Sequence, residues 1–357
     1  MSKESKTLEK DAKTKAAAKQ PWTAQRVGDL ILNNALIIIM VIAVIYIAIV
    51  NENFLKPASI INILAQTCAY LPVALGVGGC IVLTGTDLSA GRIVGLTACI
   101  SASLLQAVDA ASKMWPNLTP PPVILVLILA MIIGGAIGAF NGFFVAKFKL
   151  HPFIVTLATQ LIIYTLLLLY VKAGENNGMA ISGLDKSYSG FITGSILKIG
   201  GTPIPNYVWI AVICTIVMWF IWNKTTFGKN MFALGANEEA ARVSGVNVFA
   251  TNIMVFALAG AMYAVTGFIE GARVASNTAN TGLNYESDAI AACVIGGVSF
   301  VGGIGKIRGI VIGVLMLRLI FVALSMLGID PSMQYIIKGG IILFACALDM
   351  RKYLVKK

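Results

Sequence analysis

The chain has 357 residues, of which 58% are hydrophobic and only 12% are charged. Soluble globular proteins carry about 25% charged residues, so this composition excludes a soluble globular protein and indicates one that lies in a lipid bilayer. The formal net charge of +11 is compatible with a nucleic-acid partner or with a membrane topology signal, and the positions of the basic residues must decide between them.

The first 26 residues differ from the rest of the chain. They mix Lys, Glu, Ala and Thr without apolar periodicity, and they lack the apolar core and the small-residue cleavage site of a signal peptide. We therefore predict a flexible basic cytoplasmic tail over residues 1–26 and a transmembrane domain over residues 27–357.

Apolar segments then follow one another to the end of the chain. Most have the length that a helix needs to cross a hydrocarbon core of about 30 Å. They predict an all-α polytopic membrane protein of about ten transmembrane helices, over residues 30–50, 60–84, 91–108, 121–146, 153–172, 206–222, 248–269, 288–301, 307–327 and 333–349. The eighth segment is too short for a plain span and is expected to be broken or re-entrant.

The basic residues distinguish the two sides of this alternating arrangement. If the N-terminus is cytoplasmic, nineteen Lys and Arg residues fall on the cytoplasmic side, six fall outside, and Arg318 and Lys338 lie within spans. This bias predicts that both termini are cytoplasmic, and it explains the positive charge without nucleic acid.

The second span contains a proline and three nearby glycines. A proline removes a backbone hydrogen bond, and an interrupted helix at membrane depth is tolerated where its backbone lines a cavity. We leave two interpretations open, a simple kink or part of a transport pathway formed by Pro72, Gly76, Gly78 and Gly79.

Polar residues within or between spans are further candidates for a pore or gate. Asp87 and Ser89 lie in the stretch GTDLSAGR between the second and third spans, where either could instead cap the following helix. Asn141 lies within the fourth span, and Arg318 in the ninth either lines a wet cavity or extends toward an interface.

Two polar segments are expected on the extracytoplasmic side, over residues 173–205 and 270–289. Their content of Gly, Ser and Asn is typical of surface structure. We predict that a partner protein docks there, with charged candidates Glu175, Asp185, Arg273, Glu286 and Asp288.

No nucleotide, metal or catalytic motif is evident in the sequence. The nearest approach to a phosphate-binding loop, GGIGKIRG, has Ile307 where a hydroxyl residue is required and Phe300 where the first glycine belongs. The sole histidine has no evident partner ligands, and the six cysteines lack metal-ligand spacing. No Asp or Glu is placed securely at mid-membrane for ion coupling, so a transporter would need a partner to supply energy.

The cytoplasmic loop over residues 223–248 offers a contact for such a partner. Asn237 suits an N-cap, the two following glutamates suit a positive first turn, and Gly245 suits the terminating position. The helix so defined is too short to be stable alone, which favours a segment held against another protein. We predict that it consists of Asn237, Glu238, Glu239, Ala240, Ala241, Arg242 and Gly245, with the two alanines providing a surface for close approach. An ordinary connecting helix is the alternative.

This loop also carries a family resemblance. EAARVSG, residues 239–245, resembles the EAAxxxG loop of the membrane subunits of ABC importers, and TGTDLSAGRIVG and ESDAIAACVIGGVSFVGGIG are similar to the sugar permeases for ribose, xylose and galactosides. Within that group the chain most resembles the galactose and methyl-galactoside permeases, over nearly its whole length beyond about residue 27.

The resemblance implies a bacterial inner-membrane permease that is itself not an enzyme. It implies a homodimeric pore, an extracytoplasmic sugar-binding protein, and a cytoplasmic ATPase with two nucleotide-binding domains. ATP and Mg²⁺ would then be cofactors of that ATPase, with none in this chain. A secondary carrier or facilitator that works without an ATPase is the alternative, and a membrane-embedded enzyme is a third interpretation.

Overall fold

The computed structural model describes residues 35–354. Contacts divide the chain into two units, residues 1–42 and 43–357, and only residues 35–42 of the first unit are described. The predicted tail over residues 1–26 and the beginning of the first predicted span lie outside the described residues.

The described part of the chain is mostly helical. In chain order the elements are α1 (Ala35–Val50), α2 (Pro57–Val82), α3 (Ala90–Leu104), α4 (Val123–Phe148), α5 (Pro152–Lys172), α6 (Lys186–Thr193), β1 (Ser195–Ile199), β2 (Thr202–Pro205), α7 (Tyr207–Lys224), α8 (Thr226–Ala236), α9 (Glu238–Val243), α10 (Val248–Val274), α11 (Tyr285–Ile295), α12 (Ile307–Met326) and α13 (Pro331–Leu354). The strands β1 and β2 form an antiparallel hairpin.

Each of the ten predicted spans corresponds to a helix. Among residues 35–354, six helices are long and apolar enough to cross a membrane, namely α2, α4, α5, α7, α10 and α12. A total of ten crossings and the cytoplasmic position of both termini stay predictions.

Helix α10 lies at the centre of the bundle and packs against α2, α3 and α4. Its contact with α4 is close because glycines meet there: a Cβ on Gly134 would overlap the carbonyl of Gly260, and a Cβ on Gly260 would overlap that of Gly134. Gly138 and Gly142 continue the contact against Phe256 and Ile253. The four-residue glycine spacing in the sequence therefore marks tight helix packing.

Helix α2 continues through Pro72 as one helix. A simple kink and a transport pathway formed by Pro72, Gly76, Gly78 and Gly79 both stay open predictions. The glycines after the proline are points of close approach within the bundle: a Cβ on Gly76 would crowd Tyr263 of α10, and one on Gly78 would crowd Ile310 of α12. The side chain of Cys293 in α11 donates to the carbonyl of Ala74 at 3.1 Å and adds a further tie.

Before α11 the chain descends beside α3. The thiol of Cys99 donates to the carbonyl of Thr278, and Gly91, near the start of α3, lies against Gly282. The segment over residues 275–284 thus enters the bundle, and α11 begins partway along α3. The eighth predicted span is accordingly short. The expectation that residues 270–289 form a surface segment holds only in part, since Val274 and Leu283 are exposed whereas Glu286 and Asp288 are buried.

The segment between α5 and α7 is folded onto α10. The backbones of Ile181 and Asn277 exchange hydrogen bonds of 2.8 and 2.9 Å, and the hydroxyl of Tyr188 in α6 donates to the carbonyl of Phe268 at 2.5 Å. We call the end of the bundle that carries α6 and the β1–β2 pair the hairpin end. The opposite end, which carries α8 and α9, is called the α9 end.

Candidate functional site

Helix α9 begins and ends where the sequence predicts. The Oδ1 atom of Asn237 accepts from the backbone N–H of Ala240 at 2.9 Å, and Glu238 and Glu239 occupy the first turn. Gly245 follows the helix with φ of +86°, a left-handed conformation that suits glycine because it has no Cβ. These local hydrogen bonds satisfy backbone groups at the ends of a helix that is too short to be stable by itself.

The outward surface of α9 is available for contact. Val243 is 88% exposed, although it is an apolar residue, and Glu239 is also exposed. Arg242 lies 2.7 Å from Glu238 and 3.5 Å from Glu239, in ion pairs that water screens. The prediction that both alanines provide a surface for a partner is wrong for Ala241. This residue is only 4% exposed and is buried within this chain, whereas Ala240 is exposed.

Helix α8, which the sequence analysis did not predict, joins α9 to the bundle. The backbone N–H of Asn237 donates to the carbonyl of Ala233 at 3.0 Å, so the two helices share a turn. Gly235 of α8 lies directly against the carbonyl of Val82 at the end of α2, and the N–H of Gly303 donates to that same carbonyl at 2.9 Å. Displacement of α9 would therefore press on α2 and on the loop before α12.

A signal for α8 was present in the sequence. Thr225 acts as its N-cap, accepting from the N–H of Gly228 at 3.1 Å. Threonine before an apolar run is a recognised helix start. Two glycine residues within it, Gly228 and Gly235, concealed it because glycine disfavours helices in general, whereas here each permits a close backbone contact.

Asp87 and Ser89 form the centre of a buried hydrogen-bond network. The Oδ1 atom of Asp87 accepts from the backbone N–H and the hydroxyl of Ser89, at 2.9 and 2.6 Å, immediately before α3 begins. Its Oδ2 atom accepts from the hydroxyl of Tyr263 in α10 at 3.2 Å. Both Asp87 and Ser89 are completely buried. This is the geometry of a turn that starts a helix and ties it to α10.

Asn141 extends the same network into α4 and α5. Its Nδ2 atom donates to the hydroxyl of Ser89 at 3.0 Å, and its Oδ1 atom accepts from Thr159 at 2.6 Å. The network thus joins α3, α4, α5 and α10 through polar groups that are all paired, which fixes their relative positions. A role of these three candidates in a pore or gate stays a prediction.

Arg318 belongs to a second buried cluster, toward the hairpin end. Its Nη2 atom donates to Oδ2 of Asp288 at 2.5 Å, and the other carboxylate oxygen of Asp288 pairs with Lys338. The guanidinium lies 3.4 Å above the ring centre of Tyr70, which stacks on Tyr285 at 4.2 Å. Ion pairs and a cation–π contact together offset the cost of burying the charges.

The five predicted docking residues fall into two groups. Glu286 and Asp288 are 7% and 6% exposed, so their placement on a docking surface is wrong, because the chain enters the bundle before α11. Arg273 is partly exposed, but its Nε and Nη2 atoms donate to buried Glu270 at 2.8 and 2.7 Å. The carboxylate of Glu270 therefore neutralises the charge of Arg273 within this chain.

The remaining two docking candidates lie in the segment between α5 and α7. Glu175 is exposed, and its backbone N–H donates to the carbonyl of Met114. Asp185 caps α6, and the hydrogen bonds from the hydroxyl and the N–H of Ser187 hold the pKa of its carboxyl below the usual value. Both remain candidates for contact with a partner.

The chain is similar over most of its length to known permeases. The family described as "Branched-chain amino acid transport system / permease component" matches residues 59–346. The galactose/methyl galactoside import permease protein MglC of Salmonella typhimurium is 45% identical over 323 residues, which cover 89% of this chain and 95% of that relative. The protein of the same name from Haemophilus influenzae is 42% identical, covering 92% and 97%. No solved structure matched.

Ribose permeases follow at lower identity. The ribose import permease protein RbsC of Bacillus subtilis is 36% identical over 311 residues, covering 87% of this chain and 90% of that relative. The similarity to sugar import permeases covers 87–92% of the chain, and it therefore includes both the hairpin end and the α9 end.

Proposed function

Because the chain belongs to the family of branched-chain amino acid transport system permease components, we propose that it forms the translocation pore of an ATP-driven importer of monosaccharides. The apolar helices and the permease relatives indicate a multi-pass protein of the bacterial inner membrane. Galactose and methyl galactosides are the proposed cargo, because the relatives at 42% and 45% identity carry that name and the ribose permease is less similar.

The proposed assembly contains two copies of this chain, a cytoplasmic ATPase with two nucleotide-binding domains and an extracytoplasmic sugar-binding protein. Such an importer takes its energy from the hydrolysis of ATP, which binds to the ATPase together with Mg²⁺. The loaded binding protein docks at the hairpin end, where Glu175, Asp185 and Arg273 are candidate contacts, and releases sugar into the pore. The α9 end faces the cytoplasm in this proposal.

The surface of α9 carries the proposal. An apolar side chain that is 88% exposed, Val243, at the tip of a capped short helix suits insertion into a groove on another protein. Since α9 shares a turn with α8, and Gly235 of α8 contacts the end of α2, a push on α9 would reach the core of the bundle. We infer that closure of the ATPase moves α8 and α9 together and switches the side to which the pore opens.

Copurification tests this contact. We expect Val243→Glu to lose the ATPase during affinity purification of the permease, because a charge replaces the apolar tip. Ile196→Glu provides the matched control, since Ile196 is 83% exposed but lies in the hairpin at the opposite end. Equal retention of the ATPase by both variants would contradict the assignment of α9 as the docking helix.

A further inference from the structure

A cavity of about 440 Å³ lies at the hairpin end, between α2, α12 and α13. Its position follows from the helix ends: α2 begins at Pro57, beside Gly200 of the hairpin, and α12 and α13 are joined by a short turn after Met326. The volume is within the range of about 300–1,000 Å³ that is typical of small-molecule sites. The cavity is therefore large enough for a small ligand at the end where the proposed sugar enters.

Side-chain amides and an aromatic ring line one part of the cavity. The three amides belong to Asn62, Gln66 and Gln334, and Tyr335 contributes its ring and hydroxyl. Gln66 bonds to Asn62 at 3.4 Å, while Gln334 donates to the carbonyl of Ile329 at 3.1 Å. An amide has both donors and acceptors, so each retains capacity for a ligand hydroxyl.

The buried charged cluster forms another part of the lining. Arg318 and Asp288 line the cavity together with Lys338. Arg318 is only 6% exposed, and its Nε donor has no acceptor among residues 35–354, although its Nη2 atom pairs with Asp288. A buried donor without an acceptor is unfavourable, and a hydrogen bond to a ligand hydroxyl or a water would remove that cost.

We propose that this cavity is a monosaccharide-binding site on the transport pathway, which receives sugar at the hairpin end. The inference rests on the proposed function and adds the residues that would contact the cargo. Hydroxyls of the sugar pair with the amides of Asn62, Gln66 and Gln334 and with the guanidinium of Arg318, while Tyr335 offers a face to its C–H groups. Asp288 neutralises only one of its two cations, so a sugar acid is the competing ligand.

Protection of a cysteine from a thiol reagent tests the site directly. We would place Gln334→Cys in the full-length permease in nanodiscs and measure its labelling by a small water-soluble reagent, after subtraction of labelling of the unsubstituted protein. Asn177→Cys is the control, because Asn177 is exposed in the segment before α6 and does not line the cavity. If Gln334→Cys does not fold, Gln66→Cys replaces it.

We expect D-galactose to slow labelling of the cavity cysteine about threefold at a concentration about twice the Kd, since occupancy is then about two-thirds. Labelling at position 177 should not change. Equal rates with and without galactose, or slowing by galacturonate alone, would overturn the inference. ATP-dependent uptake by the unsubstituted protein is measured separately, so normal uptake without protection contradicts only the cavity, whereas protection without such uptake contradicts only the proposed importer.

Discussion

Gly235 of α8 lies so close to the backbone carbonyl of Val82 at the end of α2 that a Cβ on residue 235 would overlap that oxygen. The same carbonyl accepts the N–H of Gly303, in the loop before α12. A single backbone group thus joins α8, α2 and the α11–α12 connection. In the proposed importer this contact transmits motion from α9 into the bundle.

The variant Gly235→Ala tests this transmission. The added methyl must push α8 away from α2, while α9 and its exposed surface are unchanged, so the ATPase should still bind. Overpacking of this kind typically costs about 1–3 kcal/mol. We expect ATP-dependent sugar uptake in proteoliposomes to fall about tenfold or more, which corresponds to about 1.4 kcal/mol.

A matched glycine separates this effect from general damage. In Gly135→Ala the added Cβ would meet Ala257 and Ala261 at ordinary distances of 3.5 and 3.9 Å, so uptake should be close to that of the unsubstituted protein. If Gly235→Ala transports as fast as Gly135→Ala, the proposed transmission through Val82 is wrong.

The left-handed residue after α9 gives a second prediction. A Cβ on Gly245 would meet nothing within 4 Å, so its φ of +86° is the main obstacle to substitution. Valine there should cost about 1–2 kcal/mol of local stability, whereas asparagine visits the left-handed region more readily. We expect Gly245→Val to retain less ATPase on copurification than Gly245→Asn. Identical retention would argue that the shape of this turn does not matter for docking.

The Asp87 network distinguishes a structural turn from a gate. In Asp87→Asn the side-chain oxygen can still accept from Ser89, and the amide can donate to the hydroxyl oxygen of Tyr263. In Asp87→Ala three buried donors lose their acceptor, at a cost of about 1–3 kcal/mol each. We expect the asparagine variant to keep most of its thermal stability and uptake and the alanine variant to lose both. Normal stability of Asp87→Asn with complete loss of uptake would instead favour a charged gate.

The ion cluster around Asp288 predicts an order of stabilities. Asp288→Asn leaves Arg318 and Lys338 as two buried cations without their anion, and removal of one partner from a buried pair costs about 3–5 kcal/mol. Lys338→Met leaves the pair of Asp288 with Arg318 intact. We therefore expect the asparagine variant to unfold at a lower temperature than the methionine variant in nanodiscs. The reverse order would contradict the arrangement of the cluster.

The sequence predicted the helices well where apolar length decides the outcome. All ten spans correspond to helices, and the caps of α9 at Asn237 and Gly245 were identified because capping depends on residues close in sequence. The short eighth segment was also recognised, since 11 residues are too few to cross the bilayer as one helix.

The errors concern contacts between distant parts of the chain. Glu286 and Asp288 look like surface residues in sequence, but both are buried, and the two cations that pair with Asp288, Arg318 and Lys338, lie at least 30 positions away. The close approach of α10 and α12 to the glycines after Pro72, around a continuous α2, was likewise not evident from the sequence.

Transport by the reconstituted complex tests the central claim most directly. The permease would be placed in proteoliposomes with its ATPase, with the loaded binding protein on the opposite side, and uptake of labelled galactose would be measured with and without ATP and Mg²⁺. The account predicts accumulation against a gradient only when all three proteins and ATP are present. Uptake at the same rate by the permease alone, without ATP, would contradict it and identify a facilitator or a secondary carrier.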